Sequence, residues 1–425
     1  MLIEFNVTNF RSFSDCSTLC MEATPDDSLI ETNIIASGKR RMLRSAVVYG
    51  ANASGKSNLV SAMHFMKHMV LNSSRETQAN EKIDVTPFLL SAECEEQPSK
   101  FEIEFVSNKV EYRYGFEVDQ ELVHSEWLFS RATVREARLF TREKGKISIN
   151  ENRFKEGREL EERTRPNALF LSVCAQFNGE IAQIILGWFQ NFKIMHGFAP
   201  SILYGSTVEK IKSPASQRQV LNLTQVADPG IIGFDLIEKK LTLDSFPEDM
   251  PDEIKSRILK DSPMMVNLKT KHQQFNKNKE QTRTIALDFG DTASDGTQKI
   301  TSLSGPLLDI LEKGQVFVVD ELDARLHPLL TRLIVSLFNS PANKTNAQLI
   351  FTTHDTTLLT PEFFRRDQIW FTEKDQLGAT DLYSLAEIKG VRKEAIFARD
   401  YIMGKYGAIP FIGDVNWLSD EVTDG

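Results

Sequence analysis

The sequence predicts an α/β fold with a buried parallel sheet, on three observations. A β-branched run stops at a glycine-rich loop and gives way to a helix, period-two segments fill the stretch from Phe101 to Ile149, and two late apolar runs end in Asp320-Glu321 and His354.

The first observation carries the most chemistry. Ala46-Val47-Val48-Tyr49 has the length and composition of a buried strand, and Gly50-Ala51-Asn52-Ala53-Ser54-Gly55-Lys56-Ser57 fits G-x-x-x-x-G-K-[ST] at every fixed position. Gly50 and Gly55 let the backbone curl, so that the N–H groups of Asn52, Ala53, Ser54 and the helix start can face phosphate oxygens. Lys56 is expected to reach the β- and γ-phosphates of a nucleotide such as ATP, and the Ser57 hydroxyl to bind Mg²⁺, with Asn58 following in the first helical turn. Leu59, Met63, Met66 and Val70 keep helical spacing and give that helix a buried face.

At 425 residues the chain has room for more than one domain, and with 41% hydrophobic and 26% charged residues it is neither disordered nor fibrous. A net charge of −9 argues against a wholly basic nucleic-acid-binding surface but leaves a local basic strip open. Cys16, Cys20, Cys94 and Cys174 are too few and too scattered for a disulfide framework, so reduced thiols are expected. The N-terminus lacks the charged and apolar regions of a signal peptide and no run approaches the roughly 18 apolar residues of a membrane span, so the expected location is cytoplasmic, without membrane association.

Taken in order, Leu2 to Val7 alternates as a strand before Asn9-Phe10-Arg11-Ser12-Phe13. His64 and His68 share a helix face but have neither a third ligand nor a glutamate between them, so no metal is read there. Phe101 to Phe105, Tyr112 to Phe116, Val123 to Phe129 and Lys146 to Ile149 read as four short strands of an antiparallel lobe, broken at Asn108, Asp119 and Gly145. Asn167 to Val173 has buried-strand composition and is followed by Gln176 and then by an amphipathic helix marked by Ile181, Ile185, Trp188 and Phe192.

Residues 179–280 are mixed and mostly helical in pattern, without sustained heptads. Near their end Lys269, Lys271, His272, Lys277, Lys279 and Arg283 form a basic cluster, either a solvated loop or a nucleic-acid contact. Thr284 to Phe289 reads as a strand, and Ser294-Asp295-Gly296 opens a helix, where a hydroxyl and backbone N–H groups make an anion site. Val316 to Val319 ends in Asp320-Glu321: Asp320 is expected to share the Mg²⁺ with Ser57, and Glu321 to orient or deprotonate water. Gln348 to Thr353 is another buried strand, ending at His354, and Gln368 to Phe371 with Leu382 to Ser384 suggests a closing hairpin.

The segments NFRSF, GANASGKSN, ASDGTQK, VFVVDELDARLHP, FTTHD and the late Tyr401 to Pro410 run together resemble the head domains of SMC, RecF and OLD-type ABC ATPases. Within that group they resemble the ABC-type ATPases, assigned to the AAA group, of prokaryotic abortive-infection and other anti-phage operons. The fold so implied is α/β, a P-loop NTPase ABC-ATPase-like head with an antiparallel β lobe and an inserted mostly helical lobe. The expected divisions are 1–178, 179–280 and 281–425. The resemblance places Arg11 near the nucleotide, makes Gln176 either a Q-loop glutamine or an ordinary cap, and gives Asp323 to the D-loop. It makes His354 the γ-phosphate switch and Ser294 with Gly296 a signature loop that covers the nucleotide of a second subunit.

The partners implied are therefore a second copy of the chain, in a homodimer or higher homo-oligomer, and a separate effector. That effector would be a Toprim-like or HNH nuclease, because the about 70 residues after His354 fall short of the roughly 100 of a nuclease domain. Leu303-Ser304-Gly305, closer in text to the signature, lies too near Asp320 to leave room for the signature helix. The functional expectation is an ATP-hydrolysing switch controlling that effector in anti-phage defence; the alternative is a RecF-like ATPase that binds DNA in repair.

Overall fold

The computed structural model describes residues 1–410 except 38–39, 77, 133–134, 197–199, 243–245, 247–249, 260–263 and 393–394. Contacts divide the chain into two units, one of residues 1–197, 314–322 and 335–425 and one of residues 198–313 and 323–334. The second unit thus starts later than the expected lobe and runs past residue 280.

The first unit opens with strands β1 (Leu2–Thr8) and β2 (Ser17–Cys20), a turn of helix α1 (Ile30–Asn33), and strands β3 (Ile34–Ser37), β4 (Arg40–Leu43) and β5 (Ser45–Gly50). Helix α2 (Lys56–Asn72) follows the glycine loop, then the short α3 (Ala92–Glu95) and five strands: β6 (Ser99–Ser107), β7 (Val110–Val118), β8 (Val123–Arg131), β9 (Ala137–Glu143) and β10 (Lys146–Ile149). Helices α4 (Phe170–Gln176) and α5 (Glu180–Asn191) lead into β11 (Phe192–Met195).

The second unit holds α6 (Pro200–Lys212), α7 (Pro214–Ala227), β12 (Ile231–Lys240), α8 (Asp252–Leu259), β13 (Met264–Phe275), β14 (Gln281–Asp288), the turn α9 (Phe289–Thr292) and α10 (Asp295–Lys313). Strand β15 (Val316–Val319) returns to the first unit, and after α11 (Pro328–Phe338) come β16 (Gln348–Thr352), β17 (Ile369–Lys374), β18 (Thr380–Ser384) and α12 (Phe397–Ile402).

Two large sheets make the first unit. The antiparallel one runs β10-β9-β8-β7-β6-β1-β2, so the opening strand pairs with the period-two block. Phe101, Ile103 and Phe105 of β6 are buried while Glu102 and Glu104 between them are only half-buried, the alternation of a sheet with one face in a core. The other sheet runs β11-β15-β16-β5-β17-β18, parallel except for its last pair, and all six residues of β5 are buried, as a strand covered on both faces requires.

Helix α2 buries Leu59, Met63, Met66 and Val70 together with Val60, Phe65 and Met69. Phe65 meets Phe101 of β6 at 4.9 Å between ring centroids. Phe105 stacks on Trp188 of α5 at 4.2 Å, so one apolar cluster joins α2, α5 and the antiparallel sheet.

Two expectations need correction. The run Asn167 to Val173 is not a strand: Phe170–Gln176 is helix α4, and Gln176 is its last residue. A short continuous apolar run does not distinguish a buried strand from a buried helix. The helix is favoured here by Glu126 of β8, whose buried carboxylate accepts from the N–H groups of Phe170 at 2.7 Å and Leu171 at 3.0 Å.

The period-two block also contains one strand more than the sequence suggested, β9. Its alternation is spoiled by adjacent buried Leu139 and Phe140 and by buried Arg142. That guanidinium donates to Ala168 O at 2.8 Å and Pro166 O at 2.9 Å in the chain leading to α4.

In the second unit the helices are accompanied by the antiparallel sheet β12-β13-β14, packed around Ile211, Val220, Phe234, Leu268 and Phe289. Leu303-Ser304-Gly305 lies within α10, where a Cβ on Gly305 would overlap the backbone of Thr207 in α6. The Thr207 hydroxyl donates to Ser302 O at 2.7 Å and accepts from Gly305 N–H at 3.0 Å, so this triplet is a helix-packing contact. Among the described residues no helix is long and apolar enough to cross a membrane.

Candidate functional site

The loop between β5 and α2 is held from the side by the β17–β18 hairpin. A Cβ at Gly50 would overlap Thr372, which lies opposite it on β17, and one at Gly55 would overlap the Thr380 side chain. Gly55 also has φ 116°, and Ala53 has φ 62°, so the loop turns through the left-handed region twice. Ser54 is buried with its hydroxyl 2.7 Å from that of Thr372. The Thr380 hydroxyl donates to Ser54 O at 2.9 Å and lies 2.8 Å from the Ser12 hydroxyl, which accepts from Asn58 Nδ2 at 2.7 Å.

Lys56 is buried and its ammonium donates to Gly50 O at 2.8 Å and Ala51 O at 2.9 Å, drawing the loop around itself. Ser57 is exposed at the helix start. These residues line a cleft of about 440 Å³ made by Asn52 to Asn58 with Glu321, His354 and Lys374.

Strand β15 delivers the carboxylates beside it. Asp320 is 8% exposed. Its Oδ1 accepts from the Thr352 hydroxyl at 2.7 Å, and the same hydroxyl accepts from Glu321 N–H at 2.7 Å. Glu321 has φ 54°, unusual for a residue with a side chain, and is exposed into the cleft. His354 follows β16, where Tyr49 of β5 donates to the neighbouring Asp355 O at 3.0 Å.

A nucleotide fits this cleft on two observations. The loop turns through the left-handed region at Ala53 and Gly55, the kind of turn in which successive N–H groups form an anion-binding concavity, and the cation is already buried in the loop. A divalent cation fits Ser57 and Asp320 by donor chemistry, hydroxyl and carboxylate oxygens.

Ser294, Gly296 and Asp323 belong to the second unit. The Ser294 hydroxyl accepts from Thr297 N–H at 3.2 Å and so caps α10. A Cβ at Gly296 would touch Arg325 O at 3.4 Å, and buried Lys299 donates to Ala324 O at 2.5 Å. The turn at Ser294 and the segment beginning at Asp323 are thus brought together.

Gln176 is not among the residues lining the cleft; it is exposed at the end of α4 and donates to Ser74 O at 3.2 Å. On the side of β15 away from β16 the flanking strand is β11, whose Met195 O accepts from Asp320 N–H at 2.9 Å. His196 comes next, and burial lowers its pKa while the Asp320 charge opposes that shift. Arg11, with φ 53°, donates to the Ser61 hydroxyl at 3.0 Å. It lines a second cleft of about 510 Å³ with His64, His68, Lys82 and His196. Sequence reading missed Lys374 and His196, because only the strand order brings Lys374 to the loop and places His196, just after β11, next to Asp320 of β15.

A left-handed glycine loop between a buried parallel strand and a helix, beside an acid-ended strand and a histidine-ended one, is the arrangement of a P-loop nucleotide site. The chain belongs to the family described as "AAA domain, putative AbiEii toxin, Type IV TA system", whose model matches residues 45–180 and 222–360.

Among solved structures it is similar to an SMC head bound to the C-terminal winged-helix domain of ScpA, with 12% identity, TM-score 0.42, and 90% of this chain and 97% of that one covered. It is also similar to the SMC head domain from Thermotoga maritima, with 11% identity, TM-score 0.40, and 90% and 98% covered. The recombination mediator RecF is similar at 15% identity, TM-score 0.33, and 90% and 98% covered. Scores this low add nothing to the fold beyond the sheet order and loop geometry described above. Among curated proteins none matches the chain.

Proposed function

We propose that the protein is a Mg²⁺-dependent ATP hydrolase that works as a nucleotide-bridged dimer and controls a separate effector, a nuclease, in anti-phage defence. The observation that carries the hydrolase reading is the convergence of Asn52 to Asn58, Glu321 and His354 on one cleft. The loop N–H groups and Lys56 bind the phosphates, and His354 contacts the γ-phosphate. Glu321 holds the attacking water and accepts its proton. Mg²⁺, when bound, neutralises charge on the phosphate oxygens, and Ser57 and Asp320 would hold it.

Ser294 and Gly296, at the capped start of α10 with Asp323 nearby in the same unit, close the phosphate site of a second copy. The defence role is favoured by the family description, which names a putative AbiEii toxin of a type IV toxin–antitoxin system. The test is phosphate release from ATP with and without Mg²⁺. Turnover should vanish in Lys56→Ala without loss of the folded state; undiminished turnover in that variant would sink the reading. For the control role, a Toprim-like or HNH nuclease should be encoded beside this gene and should change activity when this protein and ATP are added; the lack of such a gene, or a nuclease indifferent to both, contradicts it.

A second reading, direct DNA binding of the RecF kind, is favoured by the β13–β14 hairpin, which exposes Lys277 and Lys279 beside Phe275. Lys271 is engaged by Asp235 at 2.7 Å and contributes less to such a surface. Replacing Lys269, Lys271, Lys277 and Lys279 by Ala should then weaken DNA binding and flatten its salt dependence. A wild type without salt-dependent binding removes this reading.

A further inference from the structure

The P-loop pattern contains one cation, and the cleft contains two. Lys374, the last residue of β17, lines it together with the loop, Glu321 and His354. Its direction follows from the strand. Successive side chains of a strand point to opposite faces, so Thr372 and Lys374 share a face and Glu373 takes the other.

The face of Thr372 is that of the loop, because its hydroxyl lies 2.7 Å from the Ser54 hydroxyl. Glu373 faces away, accepting from the Tyr383 hydroxyl at 3.1 Å next to Gly407. The backbone that carries Lys374 is well fixed. It pairs with Thr380 across the hairpin, and the Asp375 carboxylate closes the turn beyond by accepting from Leu377 N–H at 2.9 Å and Ala379 N–H at 2.8 Å.

The ammonium at the end of this side chain has no hydrogen bond or ion pair among the described residues, and the side chain is exposed. The Lys56 ammonium, by contrast, is already bonded to two loop carbonyls. Of the charged residues lining the cleft, Glu321 is the acidic one and Lys56 and Lys374 the basic ones, an excess that suits an anion.

We propose that Lys374 is a phosphate-binding residue of the nucleotide site, a second cation brought by β17 to the polyphosphate that Lys56 binds from the loop. This rests on the nucleotide reading of the cleft. Because Lys374 stands on the strand whose Thr372 holds Ser54, phosphate binding also ties the β17–β18 hairpin to the loop.

The test is calorimetric titration of the full chain with Mg-ATP and, separately, with inorganic tripolyphosphate, at low and moderate salt. Lys374→Gln should bind both about tenfold more weakly than the wild type, the size of one charge-assisted hydrogen bond, and with a shallower salt dependence. Lys374→Arg should restore most of the affinity. Equal affinity and equal salt dependence in wild type and Lys374→Gln would overturn the proposal and leave the nucleotide reading standing. A wild type that binds neither probe, while the fold is intact by circular dichroism, would overturn both.

Discussion

The Thr352 hydroxyl receives the backbone N–H of Glu321 at 2.7 Å, and it donates to Asp320 Oδ1 at the same distance. One side chain of β16 thereby fixes both acidic residues at the end of β15 and holds Glu321 in its left-handed conformation.

Thr352→Val should therefore disturb the acidic pair without touching the loop. Leaving Asp320 Oδ1 and Glu321 N–H without this partner costs about 1–3 kcal/mol of stability. Phosphate release should fall further than ATP affinity, while Thr352→Ser keeps both. Urea denaturation and a steady-state assay check this, and an unchanged turnover in the valine variant counts against the clamp.

Gly55 and Thr380 are coupled by contact. Gly55→Ala meets a left-handed φ of 116° and the Thr380 side chain, so it should destabilise by more than the about 1 kcal/mol of the backbone term alone. Thr380→Ala opens space but loses the bond to Ser54 O. In a double-mutant cycle the pair should cost less than the sum of the singles, because the collision is counted once and then removed. Strict additivity would mean that the hairpin does not press on the loop.

Gln176→Ala should leave ATP affinity and phosphate release within about twofold of wild type, since an exposed side chain that donates to Ser74 O, outside the residues lining the cleft, carries at most a small surface contribution. A collapse of turnover would return Gln176 to the site.

Lys67 supplies a pH dependence. Burial lowers its pKa from 10.5 to about 8, and the charge of Lys193 adds to the effect. The folded state therefore holds this proton less firmly than the unfolded state, and between about pH 8 and 10.5 the unfolded chain binds more protons. Stability should rise with pH across that window through this group, by an amount reduced by its partial exposure. Lys67→Met should remove that component; a stability curve of the same slope in both proteins contradicts the assignment.

What was legible in the sequence was what is local. Gly50 to Ser57 and Asp320-Glu321 are contiguous, and their neighbours reveal strand, turn and helix. The helix start at Ser294 was legible for the same reason, because the turn and the helix it opens adjoin, whereas the capping bond that its hydroxyl accepts from Thr297 N–H came from the structure. Lys374 and His196 were not, because parallel strand order puts β17 beside β5 and β11 beside β15, and no spacing in the chain records that.

The segment at Phe170 failed differently. Its apolar run suited either strand or helix, and the deciding group, Glu126, lies on another element. Leu303 to Gly305 looked like a binding motif in letters alone, while the backbone of Thr207 explains the glycine by close packing.

The central claim, a phosphate site completed by a second copy of the chain, is tested most directly by the mass of Glu321→Gln in solution with and without Mg-ATP. The amide keeps the shape of the side chain but removes its charge and its capacity to take a proton, so ATP should bind, hydrolysis should stop and the closed dimer should accumulate. Adding Ser294→Arg, which places a bulky side chain at the capped start of α10, should return the protein to its nucleotide-free mass. Light scattering run beside phosphate release reads both effects, with cross-linking between Ser294 and the loop to expose a dimer that exists without nucleotide. An ATP-dependent mass increase lost on Ser294→Arg is the expected result; unimpaired phosphate release by Glu321→Gln, or a Ser294→Arg protein that still closes around ATP, would contradict it.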